Sequence, residues 1–240
     1  MQTVTLSLFR FESLRDRLWA FSMMGRGRWP VSRLPGVRFW KLCGSGTGEG
    51  FLPAPNWNVY AILAAWESEG AARDAASGAR LFRRYHARAA ESVTLFMAPL
   101  SSRGRWSGRE PFRPADDAPP GPIASLTRAT LRTRTSPRFW QRVPGIEDVI
   151  GADPNVLLKI GIGELPLLRQ VTFSVWPDAA AMAAFARRPG GPHAAAIRAV
   201  REGGWFREEL YTRFSVTDAV GEWSDAPRLF QYLAEPRAAA

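Results

Sequence analysis

The chain is short of several residue types that carry protein chemistry, and each shortage removes a class of function. A single cysteine, Cys43, in 240 residues excludes an internal disulfide, a Cys-based zinc site and an iron–sulfur cluster within one chain. It equally excludes the paired cysteines of a covalently attached haem. With only two histidines, His86 and His193, hydrolytic triads and His-rich metal sites are hard to build, and a facial triad would need both plus a carboxylate. The longest apolar runs, Val59 to Trp66 and Val171 to Trp176, fall well below the roughly 20 residues of a membrane-spanning helix. Met1 to Phe11 lacks a basic n-region, an apolar h-region and a small-residue cleavage site, so the expected location is the cytoplasm.

Lysine is scarce too: Lys41 and Lys159 stand among 32 basic residues, the rest arginine, for a net charge of +10. Such a charge ordinarily raises nucleic acid as a partner. Here the arginine excess accompanies 21 Gly and 19 Pro and reads as composition bias, so no nucleic-acid partner is expected.

Internal similarity is present but faint. The register that lays Ser7-Leu-Phe-Arg10 on Ser125-Leu-Thr-Arg128 also lays Lys41 on Lys159, and Gly104-Arg-Trp106 matches Gly221-Glu-Trp223 with a small drift. Each half reads as strand, helix, strand, strand, helix, strand. In the first, Thr3 to Phe11 alternates, Leu14 to Met24 carries Leu14, Leu18, Trp19 and Phe21 at helical spacing before a stop at Gly25, and Val37 to Leu42 and Val59 to Trp66 are strands. Glu69 to Ala90 reads as helix broken at Gly78, and Val93 to Ala98 as strand. The second half repeats this with Ile123 to Arg132, Pro137 to Val143, Val156 to Ile162, Val171 to Trp176, Ala179 to Ala186 with His193 to Arg201, and Leu210 to Val216.

That order is the split βαβ, or ferredoxin-like, motif. The expected fold is therefore α+β, tandem duplicated ferredoxin-like units closing into a dimeric α/β-barrel-like body. Its expected parts are a half over 1–110, a Pro-rich linker over 111–122, a second half over 123–223 and a loose tail over 224–240.

Gly44-Ser-Gly-Thr-Gly-Glu-Gly50 lies in the least repeated stretch. It has no Gly-Lys-Ser/Thr and no helix directly after it, so it is neither a P-loop nor a dinucleotide fingerprint. Two readings stay open: a wide glycine-rich β-connection, or a loop bent over a cofactor or substrate, where glycine permits close backbone approach. One histidine is enough for haem. His193 opens a helix after Pro189-Gly-Gly-Pro192, whereas His86 sits in the arginine-rich Arg83 to Arg88. Cys43 is the rival axial ligand, or a small buried hydrophobe. Ten tryptophans exceed what a core of this size needs; some could line an apolar cavity, and Arg38-Phe39-Trp40 and Arg138-Phe139-Trp140 could seat the chain on an anionic membrane.

The blocks Met1 to Phe11, Phe39 to Phe51, Pro122 to Thr130, Gln170 to Asp178, Gly191 to Arg201 and Gly204 to Tyr211 together resemble the spheroidene monooxygenase family over nearly the whole chain. The resemblance implies an enzyme that uses O₂ to build a keto group at C2 of a spheroidene-type acyclic carotenoid. A second hydroxylation at the same carbon would give a gem-diol that loses water. It also implies a non-covalent b-type haem, a reduced ferredoxin-like electron donor, and a place peripheral to the photosynthetic inner membrane. His193 matches the family's Gly-Pro-His segment and is the implied proximal ligand, whereas neither Cys43 nor His86 matches a Cys or His of the family pattern. Arg10, Arg128, Lys41 and Lys159 are candidates to neutralise haem propionates; Ser45 and Thr47 are candidates to donate a hydrogen bond to bound oxygen. The rival readings are a haem-binding barrel with peroxidase- or dehydratase-like chemistry, and a non-enzymatic carotenoid or membrane-surface binder.

Overall fold

The computed structural model describes residues 1–47, 54–137, 153–165, 167–186 and 204–234. The first half contributes β1 (Thr3–Arg10), α1 (Leu14–Arg26), α2 (Arg28–Ser32), β2 (Val37–Gly46), β3 (Pro55–Trp66), α3 (Glu69–Gly78), α4 (Arg80–His86) and β4 (Glu91–Gly104). The second contributes β5 (Ile123–Leu131), β6 (Leu158–Leu165), β7 (Arg169–Trp176), α5 (Ala179–Ala186) and β8 (Phe206–Gly221), followed by α6 (Pro227–Ala234). The helices expected over Pro137 to Val143 and His193 to Arg201 lie outside the described residues, Pro137 excepted.

Local sequence accounts for most boundaries. Ser13 caps α1 by accepting from the Asp16 N–H, and Ser68 caps α3 by accepting from the Ala71 N–H, each satisfying one of the free N–H groups of a first turn. The break expected at Gly78 occurs there, where Ala79 turns extended. Gly25 does not stop α1: it is not in the left-handed region, and the helix continues to Arg26 before Gly27 bonds back to Met23.

The eight strands close into a barrel in the order β1-β3-β2-β6-β7-β5-β8-β4, all antiparallel. The order is β4-β1-β3-β2 in the first half and β8-β5-β7-β6 in the second, joined where β2 meets β6 and β4 meets β8. Pairing across these seams is reciprocal. Gly44 lies opposite Gly163; Val93 lies opposite Gly221, and Gly104 opposite Leu210. Gly104 and Gly221 have φ of +103° and +108°, and a Cβ on either would meet the carbonyl oxygen of Glu209 or of Ser92 at 2.2 Å, so both sites require glycine.

Register corrects one repeat match. Lys41 lies opposite Leu63, on the same face as the inward Phe39 and Cys43, whereas Lys159 lies opposite Ser174, between the inward Leu158 and Ile160 and so on the other face. The two lysines therefore face opposite sides of the barrel wall, because a slip of one residue reverses the face of a strand side chain.

The interior is packed solid by Leu6, Leu8, Leu63, Leu95, Leu126, Phe173 and Phe214, among others, as small barrels are. Phe112, in the stretch read as a linker, packs within this core against Phe39 and Phe214. Gln2 brackets the same stretch, donating to the Pro111 carbonyl and accepting from the Arg113 N–H. Within the segment expected to be a loose tail, α6 buries Leu229, and Tyr232 donates to the Pro177 carbonyl. That apolar anchor holds the chain to the barrel as far as Ala234; 235–240 lie outside the described residues.

Candidate active site

At the seam where β2 meets β6, a cleft of about 230 Å³ opens on the outside of the barrel. Phe21 and Met24 of α1, Trp57 and Tyr60 of β3, and Leu167 form its apolar walls; Ser45, Asn56 and Gln170 add polar groups. Gly44 and Gly163 form part of its lining, and a Cβ built on Gly44 meets nothing within 4 Å. Phe21 and Trp57 touch at its mouth, with ring centroids 5.1 Å apart. Burial pushes the Tyr60 phenol up, so at neutral pH it remains a hydrogen-bond donor. An apolar recess with a few convergent polar groups is what a small-molecule site requires.

Beside the cleft, inside the barrel, lies a network of charged side chains. Lys41 Nζ donates to Glu164 Oε1 and Ser107 Oγ at 2.7 Å each, and Trp106 Nε1 donates to Glu164 Oε2 at 2.7 Å. Arg128 pairs with Glu208, lies 3.9 Å from Glu164, and sits over the Trp106 ring with its guanidinium carbon 5.6 Å from the centroid. Ser107 and Gly108 form a turn with φ of 55° and 73°, and their N–H groups donate to Glu208 at 2.8 and 2.7 Å. Burial alone would push the Glu208 carboxyl up; the two N–H groups and Arg128 outweigh it and hold it below the usual range. Burial also draws Arg128 down, partly offset by Glu208 and Glu164.

The opposite inner corner repeats the plan. Arg10 bonds Glu91 and Asp225 and lies 4.7 Å from the Trp223 ring centroid, while Ser224 donates to Glu91 through both its N–H and its hydroxyl. Burial would raise Glu91 as well, yet Ser224 and Arg10 hold it low. The two arginines differ in depth. Arg10 stands opposite Glu91 in the strand register, whereas Arg128 stands opposite Leu210 and reaches back two residues to Glu208. Arg10 retains 23% side-chain exposure and Arg128 only 2%; the Arg128 Nε has no hydrogen-bond partner.

The sequence-derived candidates fall into three groups. Arg10, Arg128 and Lys41 point into the barrel and are matched by carboxylates; of the four cations, Lys159 is the one on the outer wall. Ser45 lines the cleft, but its hydroxyl donates to the Val59 carbonyl at 3.1 Å, and Thr47 closes the base of the glycine loop with its N–H on the Ala54 carbonyl at 2.8 Å. His193 lies outside the described residues.

Cys43 and His86 have other roles. Burial, with Glu164 adding and Lys41 and Arg128 opposing, pushes the Cys43 thiol far above its ordinary value, so it is a packed, protonated thiol in the barrel core. His86 has both ring nitrogens in contact with protein, Nδ1 with Ser92 Oγ at 3.0 Å and Nε2 with the Ala76 carbonyl at 3.3 Å. Phe39 is buried inside the barrel and Trp40 is half-buried, with Arg28 over its ring, so Arg38-Phe39-Trp40 is not a membrane-facing pair; Arg138-Phe139-Trp140 lies outside the described residues. Sequence reasoning missed Glu164, Glu208 and the cleft-lining Phe21, Trp57 and Tyr60. The two acids were detectable: each continues the inward phase of its strand, Ile160, Ile162, Glu164 and Glu208, Leu210.

The chain is 50% identical over 226 residues to the spheroidene monooxygenase of Rhodobacter capsulatus, covering 93% of both chains. It is 48% identical over 224 residues to that of Cereibacter sphaeroides, covering 93% of this chain and 69% of the relative. The chain belongs to the spheroidene monooxygenase family. A third member, from Rubrivivax gelatinosus, is 36% identical over 208 residues, covering 86% of this chain and 79% of the relative. No family model matches the chain. Among solved structures, an aldoxime dehydratase (TM-score 0.60, 12% identity, 92% of this chain and 84% of that one) and an aldoxime dehydratase in complex with butyraldoxime (0.62, 10%, 90% and 80%) share the fold. Family membership makes the protein a monooxygenase and removes the reading as a non-enzymatic binder. Among the described residues, no helix is long and apolar enough to cross a membrane.

Proposed function

We propose that the protein oxygenates a spheroidene-type acyclic carotenoid at C2, using O₂ and electrons from a reduced ferredoxin-like donor, with a b-type haem held by His193. The observation that carries this reading is the seam cleft, partly open and mainly apolar, in a chain about half identical to spheroidene monooxygenases over 93% of its length. Its volume is below the ~300–1,000 Å³ of sites that enclose a drug-sized ligand. It suits the end of a long polyene, with the rest of the molecule leaving past Phe21 and Trp57.

The described residues fit a flat group against the outer wall of the second half. Ser125, Thr127 and Thr172 have small side chains on that face and Gly161 and Gly163 have none, so a flat group would meet little bulk from the sheet itself. Cys43 and His86 are engaged elsewhere, which leaves His193 as the candidate ligand. Bound haem would supply the O₂ activation needed to attack the C2–H bond. Each round consumes O₂, two electrons and two protons, leaving one oxygen on carbon and one as water; after two rounds at one carbon, loss of water gives the ketone. The chain's own contribution is orientation: Phe21, Met24, Trp57 and Leu167 fix the polyene end by apolar contact, and Tyr60, Asn56 and Gln170 offer hydrogen bonds to a terminal ether oxygen. Lys159 stands on that outer wall, and its position makes it the candidate cation for a propionate on this side. The reciprocal seams and the two Arg–Glu–Trp corners favour reading 1–110 and 123–223 as ferredoxin-like repeats.

The test is haem quantification and product analysis on the wild type and His193→Ala. The wild type is expected to hold one haem per chain and to form a C2 ketone; the variant is expected to lose haem and at least about a hundredfold in activity. Full haem and activity in the variant would refute the ligand assignment, and a wild type without haem would refute the cofactor.

A further inference from the structure

An apolar pattern at helical spacing ordinarily faces the core, yet three of the four large residues that set the pattern of α1 do not. Leu14, Leu18 and Phe21, spaced i, i+4 and i+7, are 70, 58 and 53% exposed, while the helix buries Ala20 and Met23 instead. Trp57, 49% exposed, continues the row at the mouth of the cleft through its contact with Phe21, and Leu167, 43% exposed, stands on the cleft's lining. Solvent-facing apolar side chains aligned on one helix and continuous with a binding cleft mark an interaction surface.

The surrounding charge identifies the partner. From Glu12 to Arg33 there are five arginines and two acids; Arg15, Arg26, Arg28 and Arg33 are exposed, and Asp16 is already occupied by Ser13 and Arg88. Trp29, 64% exposed, lies in α2 with the Arg33 guanidinium 3.9 Å from its ring centroid, the amphipathic pairing found at membrane interfaces. Apolar side chains fringed by arginine match a bilayer surface with anionic headgroups.

We propose that this face of α1 docks on an anionic lipid bilayer with the cleft mouth at the lipid boundary, so that a lipid-dissolved polyene enters the cleft end-first without crossing water. The docking rests on the exposed face alone; the delivery of a polyene rests on the function proposed above.

The experiment is co-sedimentation of the intact protein with vesicles of phosphatidylcholine, with and without phosphatidylglycerol, for wild type and Leu14→Glu/Leu18→Glu. Neither leucine lines the cleft. Wild type is expected to bind the anionic vesicles, more weakly as salt is raised, and the double variant to bind at least about tenfold more weakly with unchanged melting temperature. The variant should keep its activity on detergent-dispersed carotenoid and lose it on vesicle-embedded carotenoid. Equal vesicle binding by wild type and variant would overturn the proposal, as would a wild type that ignores vesicles and forms a dimer that the double substitution dissolves. Vesicle binding through this face with no oxygenation of any carotenoid would keep the docking and refute the function.

Discussion

The two halves of the barrel share strand order and reciprocal seams but, among the described residues, carry different side chains on their outer walls. On the first half Phe9, Phe11, Tyr60, Ile62, Trp66 and Phe96 point outward and are buried beneath α1 to α4, with the Phe9 ring tilted against Tyr85 at 4.7 Å and edge-on to His86 at 5.3 Å between centroids. On the second half the outward positions of β5, β6 and β7 include Ser125, Thr127, Gly161, Gly163 and Thr172, and the buried apolar cluster among the described residues there is Trp176, Met182 and Phe185, with Ile123 packed against it. Large rings weld helices onto a sheet, whereas glycine and small hydroxyl side chains add little bulk to the wall that bears them. Among the described residues, then, the large outward rings belong to the first half, and the second carries the smaller groups that the proposed cofactor would need.

The sharpest way to break that comparison is to truncate one outward residue on each wall. Phe9→Ala removes a fully buried ring and is expected to cost about 3–5 kcal/mol; Thr127→Ala is expected to cost less than about 1 kcal/mol. Thr127→Phe should leave the melting temperature nearly unchanged and lower haem content. Denaturant titration with haem quantification checks all three, and equal losses of stability on both walls would end the distinction.

A second, smaller contrast tests the two inner corners. Glu208→Ala strands Arg128, which is almost fully buried and already has an unpartnered Nε, so a loss of about 3 kcal/mol is expected. Glu91→Ala at the more exposed corner leaves Arg10 with Asp225 and solvent, and about 1 kcal/mol or less is expected. Both carboxyls are held below their ordinary values in the fold, so their stabilisation is complete above the unfolded value near ~4.3 and is lost as pH falls through the lower folded values. Acid unfolding curves should show Glu208→Ala with a shallower stability loss below about pH 4.3 than wild type, and Glu91→Ala with a smaller change in the same direction.

Much of this architecture was legible in the sequence because it rests on short-range pattern. The strand alternations, the break at Gly78 and the match of Gly104-Arg-Trp106 to Gly221-Glu-Trp223 correspond to structural positions. What was not legible depends on which side of a wall a residue faces. Lys41 and Lys159 align in one dimension and point to opposite faces, since register is set by partner strands that no local pattern names. Apolar residues surround nearly the whole circumference of α1, so spacing alone could not tell the buried Ala20 and Met23 from the exposed Leu14 and Leu18. The cleft draws its lining from β2, β3, α1 and the β6–β7 turn, segments brought together only when the barrel closes. The glycine loop borders this cleft, and the described part of it contributes space at Gly44 and a hydroxyl at Ser45 whose proton is already committed.

The finest comparison sets Gly44 against Gly163, the two glycines that meet across the seam, one from each half. They are adjacent in the sheet and both border the cleft, but a Cβ on Gly163 would meet the Arg169 carbonyl oxygen at 2.5 Å, while one on Gly44 meets nothing within 4 Å. Gly163→Val must therefore displace backbone and should destabilise by about 1–3 kcal/mol. Gly44→Val occupies a strand position that suits a branched side chain and also restricts the unfolded chain, so stability should hold or rise slightly. Its isopropyl group would project into the cleft. If the polyene end is seated there, the KM for carotenoid should rise about tenfold while haem content stays constant, because a narrowed apolar recess loses contacts worth roughly 1–3 kcal/mol. An unchanged KM in a stable, haem-loaded Gly44→Val would move the substrate out of the seam and leave the outer wall of the second half to bind it without help from the first.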